Sequence, residues 1–93
     1  MLNRMTIKVT QEDINNGEKS SCTGCPIALA LRRKFRAAKQ VEVGTSMVNI
    51  WYDEKLKQIK LPKSITTFIE RFDDGCGVQP FTKVVSYRTK VWK

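Results

Sequence analysis

From Arg4 to Val9 the chain alternates, with Ile7 and Val9 on one side and Thr6, Lys8 and then Thr10 on the other, the period of a strand with one buried face. Thr10 offers a hydroxyl for a helix N-cap, and Glu12 and Asp13 are acids suited to a first turn. A short helix is therefore predicted, anchored by Ile14 and closed by Gly17 in the left-handed conformation. After a polar loop, Pro26 suits the first position of a second helix, because its missing N–H would be unpaired there anyway. Ile27, Leu31 and Phe35, with Ala28 and Ala38 beside them, form a helical stripe that predicts a helix from Pro26 to about Ala38.

Val41 to Val43 and Ser46 to Tyr52 are rich in β-branched and aromatic residues, and Asp53-Glu54-Lys55 is a plausible turn into a strand from Lys57 to Leu61. Beyond Pro62, the residues Ile65, Phe68, Ile69 and Phe72 recur at i, i+3, i+4 and i+7, the strongest amphipathic helix in the chain, with Gly75 as its stop. Phe81 to Tyr87 reads as a last strand. The predicted order is β-α-α-β-β-β-α-β: an α+β domain with a small antiparallel or mixed sheet and about three helices on one face. Residues 1–87 form the single domain, and 88–93 read as a basic C-terminal extension. An exposed sheet edge could pair with a second copy, so a homodimer is compatible with this pattern.

Composition narrows the function. With 93 residues the chain can bury one core. It has no apolar run near the roughly 20 residues of a membrane span. Its beginning lacks the features of a signal peptide, so the expected setting is the cytoplasm, without membrane association. There is no histidine, which excludes His-based triads, imidazole metal sites and His proton shuttles. Neither a P-loop nor a dinucleotide glycine fingerprint is present. The acid pairs Glu12-Asp13 and Asp73-Asp74 fall at helix ends, where the burial needed to separate two carboxyl pKa values is seldom available. The expectation is a binding protein, not an enzyme.

Cys22-Thr23-Gly24-Cys25-Pro26 places a CxxC at a helix N-terminus, where N–H groups and the dipole favour thiolate. A redox pair would put its first cysteine at the helix start, whereas here the second stands there. A zinc site on Cys22 and Cys25 would need Cys76 and a carboxylate such as Asp73 or Asp74, or a shared site across a dimer. The simplest reading has the sulfurs packing the loop onto the second helix, with no cofactor.

Charge carries the main functional signal. The chain has 17 Lys and Arg against 9 Asp and Glu, and residues 1–31 balance at three of each, so the whole excess lies in 32–93. Such a field favours anionic partners such as nucleic acid, an acidic protein face or an anionic membrane surface. The candidate binding residues are Arg32, Arg33, Lys34, Arg36 and Lys39 at the end of the second helix, Lys55, Lys57 and Lys60 in the hairpin, and Tyr87, Arg88, Lys90 and Trp92 towards the end of the chain. Cations interleaved with aromatics could grip phosphates and stack bases. Part of the cluster is also explained by cations stabilising a helix C-terminus, and lysines guard exposed strand edges against aggregation.

Two blocks resemble a group of small uncharacterised bacteriophage and prophage proteins. The first runs from Val9-Thr10-Gln11-Glu12-Asp13-Ile14 through Gly17 to Cys22-Thr23-Gly24-Cys25-Pro26-Ile27-Ala28-Leu29-Ala30-Leu31-Arg32. The second runs from Leu61-Pro62 through Phe68-Ile69-Glu70-Arg71-Phe72-Asp73-Asp74-Gly75 to Val78-Gln79-Pro80-Phe81. The resemblance implies a phage origin and a bacterial cytoplasm and, by analogy, a host-takeover or anti-defence role; the basic surfaces add the expected target, host nucleic acid or a nucleoprotein, with inhibition of one host protein as the alternative. It assigns no activity to any residue.

Overall fold

A computed structural model describes residues 3–91; Trp92 and Lys93 lie outside the described residues. The elements are β1 (Asn3–Val9), α1 (Gln11–Asn16), α2 (Pro26–Lys34), β2 (Gln40–Val43), β3 (Met47–Trp51), β4 (Lys55–Lys60), α3 (Lys63–Asp73) and β5 (Phe81–Val91). Their order is the predicted one, and the sheet, β1-β5-β4-β3-β2, is antiparallel at every pairing.

β5 is longer than its hydrophobic pattern implied. Its first part pairs with β1, from Val9↔Phe81 to Asn3↔Tyr87, and its second part pairs with β4, from Ile59↔Tyr87 to Lys55↔Val91. Arg88 to Val91, expected as an extension, are thus part of the sheet. Although β1 and β2 are opposite edges of the sheet, α2 packs against both, so the sheet must curl around that helix. Ile27, Ala28, Ala30 and Leu31 of α2 fill the concave side, together with Ile65, Phe68 and Phe72 of α3. Phe68 also meets Phe81 edge to face at 4.9 Å between centroids, a favoured aromatic geometry.

The helix ends show local chemistry at work. At α1 the Asp13 N–H donates to the Thr10 hydroxyl (3.2 Å) and the Thr10 N–H donates to the Asp13 carboxylate (2.9 Å), a reciprocal capping box. α3 ends as Gly75 alone permits: with φ at +80°, its N–H donates to the Phe72 carbonyl and the Cys76 N–H to the Arg71 carbonyl. Gly17 differs from expectation. Its φ is −72°, an extended conformation, and its lack of a side chain matters for space, since a Cβ there would lie 2.6 Å from the Pro26 ring. α2 is also shorter than its good helix formers suggest. The Phe35 N–H closes on the Leu31 carbonyl, Ala38 turns back onto Phe35, and the Lys39 N–H already donates to the Trp51 carbonyl at the end of β3. Reaching β2 overrides local propensity.

Asp13, not Ile14, is the buried residue of α1. Its Oδ1 and Oδ2 accept from the Arg33 guanidinium at 2.6 and 3.0 Å, and the same guanidinium donates to the Lys8 carbonyl at 3.1 Å. One bidentate contact therefore ties α1, α2 and β1 together. Burial pushes the Asp13 carboxyl up, but Arg33 and the Thr10 bonds outweigh it and hold the group below its ordinary value of 3.8. The Arg33 side chain is 45 % exposed, so solvent weakens the pair relative to a fully buried one. Asp13→Asn should cost about 1–3 kcal/mol in urea unfolding. Because the folded pKa is depressed, the contribution is complete above the unfolded value and is lost as pH falls through the lower folded one. The variant should lose that acid-side slope, and an unchanged slope would contradict this account.

Candidate functional site

Residues directly opposite one another in an antiparallel sheet share a face. The register therefore places Met5, Ile7, Val85, Tyr87, Lys57, Ile59, Val48, Ile50, Val41 and Val43 on the concave, helix-covered side. The alternate residues form a second face: Arg4, Thr6 and Lys8 of β1, Val84, Ser86, Arg88 and Lys90 of β5, Leu56, Gln58 and Lys60 of β4, and Met47, Asn49, Trp51 and Glu42 of β3 and β2. The buried helix residues join the core on the first face, while the alternate positions of β1 are exposed, as are all but Ser86 along β5. Along β1 and β5 the second face is open, while towards β4 and β3 it is part-covered, with Leu56 buried and Gln58, Asn49 and Trp51 half-exposed.

This geometry divides the sequence-predicted residues into groups. Arg32, Lys34 and Arg36 stand exposed around the end of α2, and Arg33 is committed to Asp13. Lys39 lies 3.9 Å from Asp53, both exposed. Lys55 and Lys57 face the concave side. There the Lys57 ammonium sits 4.6 Å from the centroid of Phe35, 5.4 Å from Tyr87 and 5.6 Å from Tyr52, with Lys55 4.9 Å from Tyr52. Burial, and then the Lys55 charge, pushes Lys57 below the usual lysine range. The rings compensate part of its lost hydration through their π-faces. Burial, followed by Tyr87, pushes the Tyr52 hydroxyl up. Tyr87 therefore serves an internal cation–π cluster joining β4, β5, the turn between β3 and β4 and the turn after α2.

Lys60, Arg88 and Lys90 point to the open face. Sequence reasoning missed their companions Arg4 and Lys8, which alternation with Met5, Ile7 and Val9 could have revealed. Among the described residues, none of these five cations is ion-paired. The acid on this face, Glu42, accepts a 2.7 Å hydrogen bond from the Trp51 indole N–H. A groove of about 580 Å³ opens beside the end of β4, lined by Ser46, Met47, Gln58, Lys60, Ser86 and Arg88 among others. Gln58 also donates to Asn49 at 3.4 Å, which lines up two amides across the strands. The arrangement can hold an anion and offer neutral hydrogen-bonding groups beside it.

The cysteines do not converge. Cys25 is buried at the N-cap of α2, whereas Cys22 and Cys76 are exposed. Burial pushes the Cys25 thiol up, and the Asp73 charge acts in the same direction against the N–H groups of Ala28 and Ile27. The expected bias towards thiolate is reversed there, because desolvation exceeds the pull of the helix end. Among the described residues, no three Cys, Asp or Glu side chains are grouped to hold a metal ion. Thiol titration of the reduced native protein should show two fast groups, Cys22 and Cys76, and one that reacts only on unfolding. Fast reaction of Cys25 would contradict its placement.

No family model, curated protein or solved structure matches this chain, so the functional reading rests on the geometry of the open face.

Proposed function

We propose that this is a non-enzymatic, nucleic-acid-binding accessory protein of a bacteriophage, acting on host nucleic acid or a nucleoprotein in the bacterial cytoplasm through the open face of its sheet. The observation that carries this reading is the set of five cations, Arg4, Lys8, Lys60, Arg88 and Lys90, that have no ion pair among the described residues and stand on the sheet face opposite the helices. Unpaired cations concentrated on one surface focus a positive field that attracts polyanions. Glu42, whose carboxylate accepts from the Trp51 indole and keeps its charge, stands on the same face as one anion against the five cations. The phage setting and the host-takeover or anti-defence role rest on the sequence resemblance.

The second cationic surface, around Arg32, Lys34 and Arg36, stands at the end of α2, where Lys34 borders a cleft shared with Thr6 and Lys8 of β1. It lies where cations stabilise a helix terminus without any ligand, so the two surfaces make different predictions. Reversing charge on the open face, as Lys60→Glu with Arg88→Glu, should weaken oligonucleotide binding by more than about tenfold, while neutralising Arg32 and Arg36 should change it by less than about threefold. If all five open-face cations meet phosphates, log K should fall against log salt with a slope near −3.5 for a single strand. Binding that ignores salt, or survives the reversal and fails with the α2 variant, would overturn this reading. Capture of one host protein that resists both nuclease and high salt would favour a protein-directed inhibitor instead.

A further inference from the structure

We infer that the open face takes single-stranded nucleic acid, with an unpaired base seated in the groove between Lys60 and Arg88; this rests on the nucleic-acid reading of that face. The face combines charge with apolar surface. Met47 is 41 % and Val84 56 % exposed, and both lie on the same side as the five cations. A partner must therefore offer phosphate and apolar surface to one side of the protein. A duplex turns its phosphates outward and keeps its base faces stacked inside, and reading its grooves requires a helix or ribbon that protrudes. Here the surface is made of pleated strands with a groove. A single strand exposes base faces and phosphates together, which is the combination this face complements.

The spacing agrees with that ligand. Ser86, Arg88 and Lys90 occupy alternate positions of β5, each pair about 6.6–6.8 Å apart along the strand, a step that successive phosphates of an extended chain can follow. Beside them, the groove of about 580 Å³ is of a size typical for small organic groups. Met47 offers a polarisable thioether to a ring, and the Gln58 amide and Ser86 hydroxyl offer hydrogen bonds to a base edge. An anionic bilayer would match the charge, but insertion calls for large apolar or aromatic side chains beyond the two exposed ones, Met47 and Val84: Leu56 is only 6 % exposed, and the Trp51 indole is tied to Glu42.

The test compares one labelled oligonucleotide of mixed sequence, its duplex, and phosphatidylglycerol-containing vesicles against the full chain by anisotropy and co-sedimentation. The single strand should bind at least about tenfold tighter than the duplex, the increment expected from stacking of one or more bases. Ser86→Tyr fills the groove with a residue that strands favour, and it should cost the single strand about tenfold while leaving the duplex within about threefold. Met47→Ser, at an exposed position, should weaken the single strand in the same selective way without disturbing the melting temperature. Equal or tighter duplex binding, preference for vesicles, or folded variants that bind the single strand normally would overturn the inference while leaving nucleic-acid binding intact. Binding of neither nucleic acid would remove the underlying reading as well.

Discussion

The eleven residues of β5 must serve two partners, and the molecule is organised around that requirement. β1 occupies one flank of the strand up to Tyr87 and β4 occupies the opposite flank from Tyr87 onwards, so Tyr87 is paired on both sides. This offset links the first strand of the chain to the three-stranded meander β2-β3-β4. α2, packed against both outer strands, then closes the curl. Once a sheet closes around helices on one side, strand alternation decides what the other side displays. The cations of β5 and β4 share that other side with those of β1 because the register allows no other placement.

The fold uses its charges in two ways. Arg33 and Lys57 are structural: one completes the Asp13 contact that joins α1, α2 and β1, and the other is enclosed by rings from three parts of the chain. Both positions lose hydration, and each recovers it from a specific partner. The open-face cations have no such partner among the described residues and keep their interactions available for an external anion. Net charge alone could not make this distinction, since it counts Arg33 and Arg88 alike.

The element order was legible because the two periods, two for strands and near 3.6 for helices, are well separated between Arg4–Val9, Val41–Leu61 and Ile65–Phe72. The end of β5 was not. Arg88 and Lys90 alternate with Thr89 and Val91 in a pattern without a strong apolar face, and only pairing with β4 shows it to be strand. The Arg33–Asp13 contact joins residues 20 positions apart, and its buried carboxylate contradicts the usual exposure of a helix start. Lys57 and Lys60 looked like one cluster along the chain, yet an odd separation within a strand sends them to opposite faces. The candidate site was therefore legible in its residue types and not in its grouping, which depends on register.

The central claim is that the open face, and not the end of α2, meets the ligand. The most direct measurement is a titration of isotope-labelled protein with a single-stranded oligonucleotide, followed by nuclear magnetic resonance. The account predicts that shifts concentrate on the Trp51 indole, the Gln58 and Asn49 amides and the Arg88 side chain, while Arg32, Arg36 and the Lys57 cluster stay unmoved. Shifts centred on the end of α2, with the sheet face silent, would contradict it.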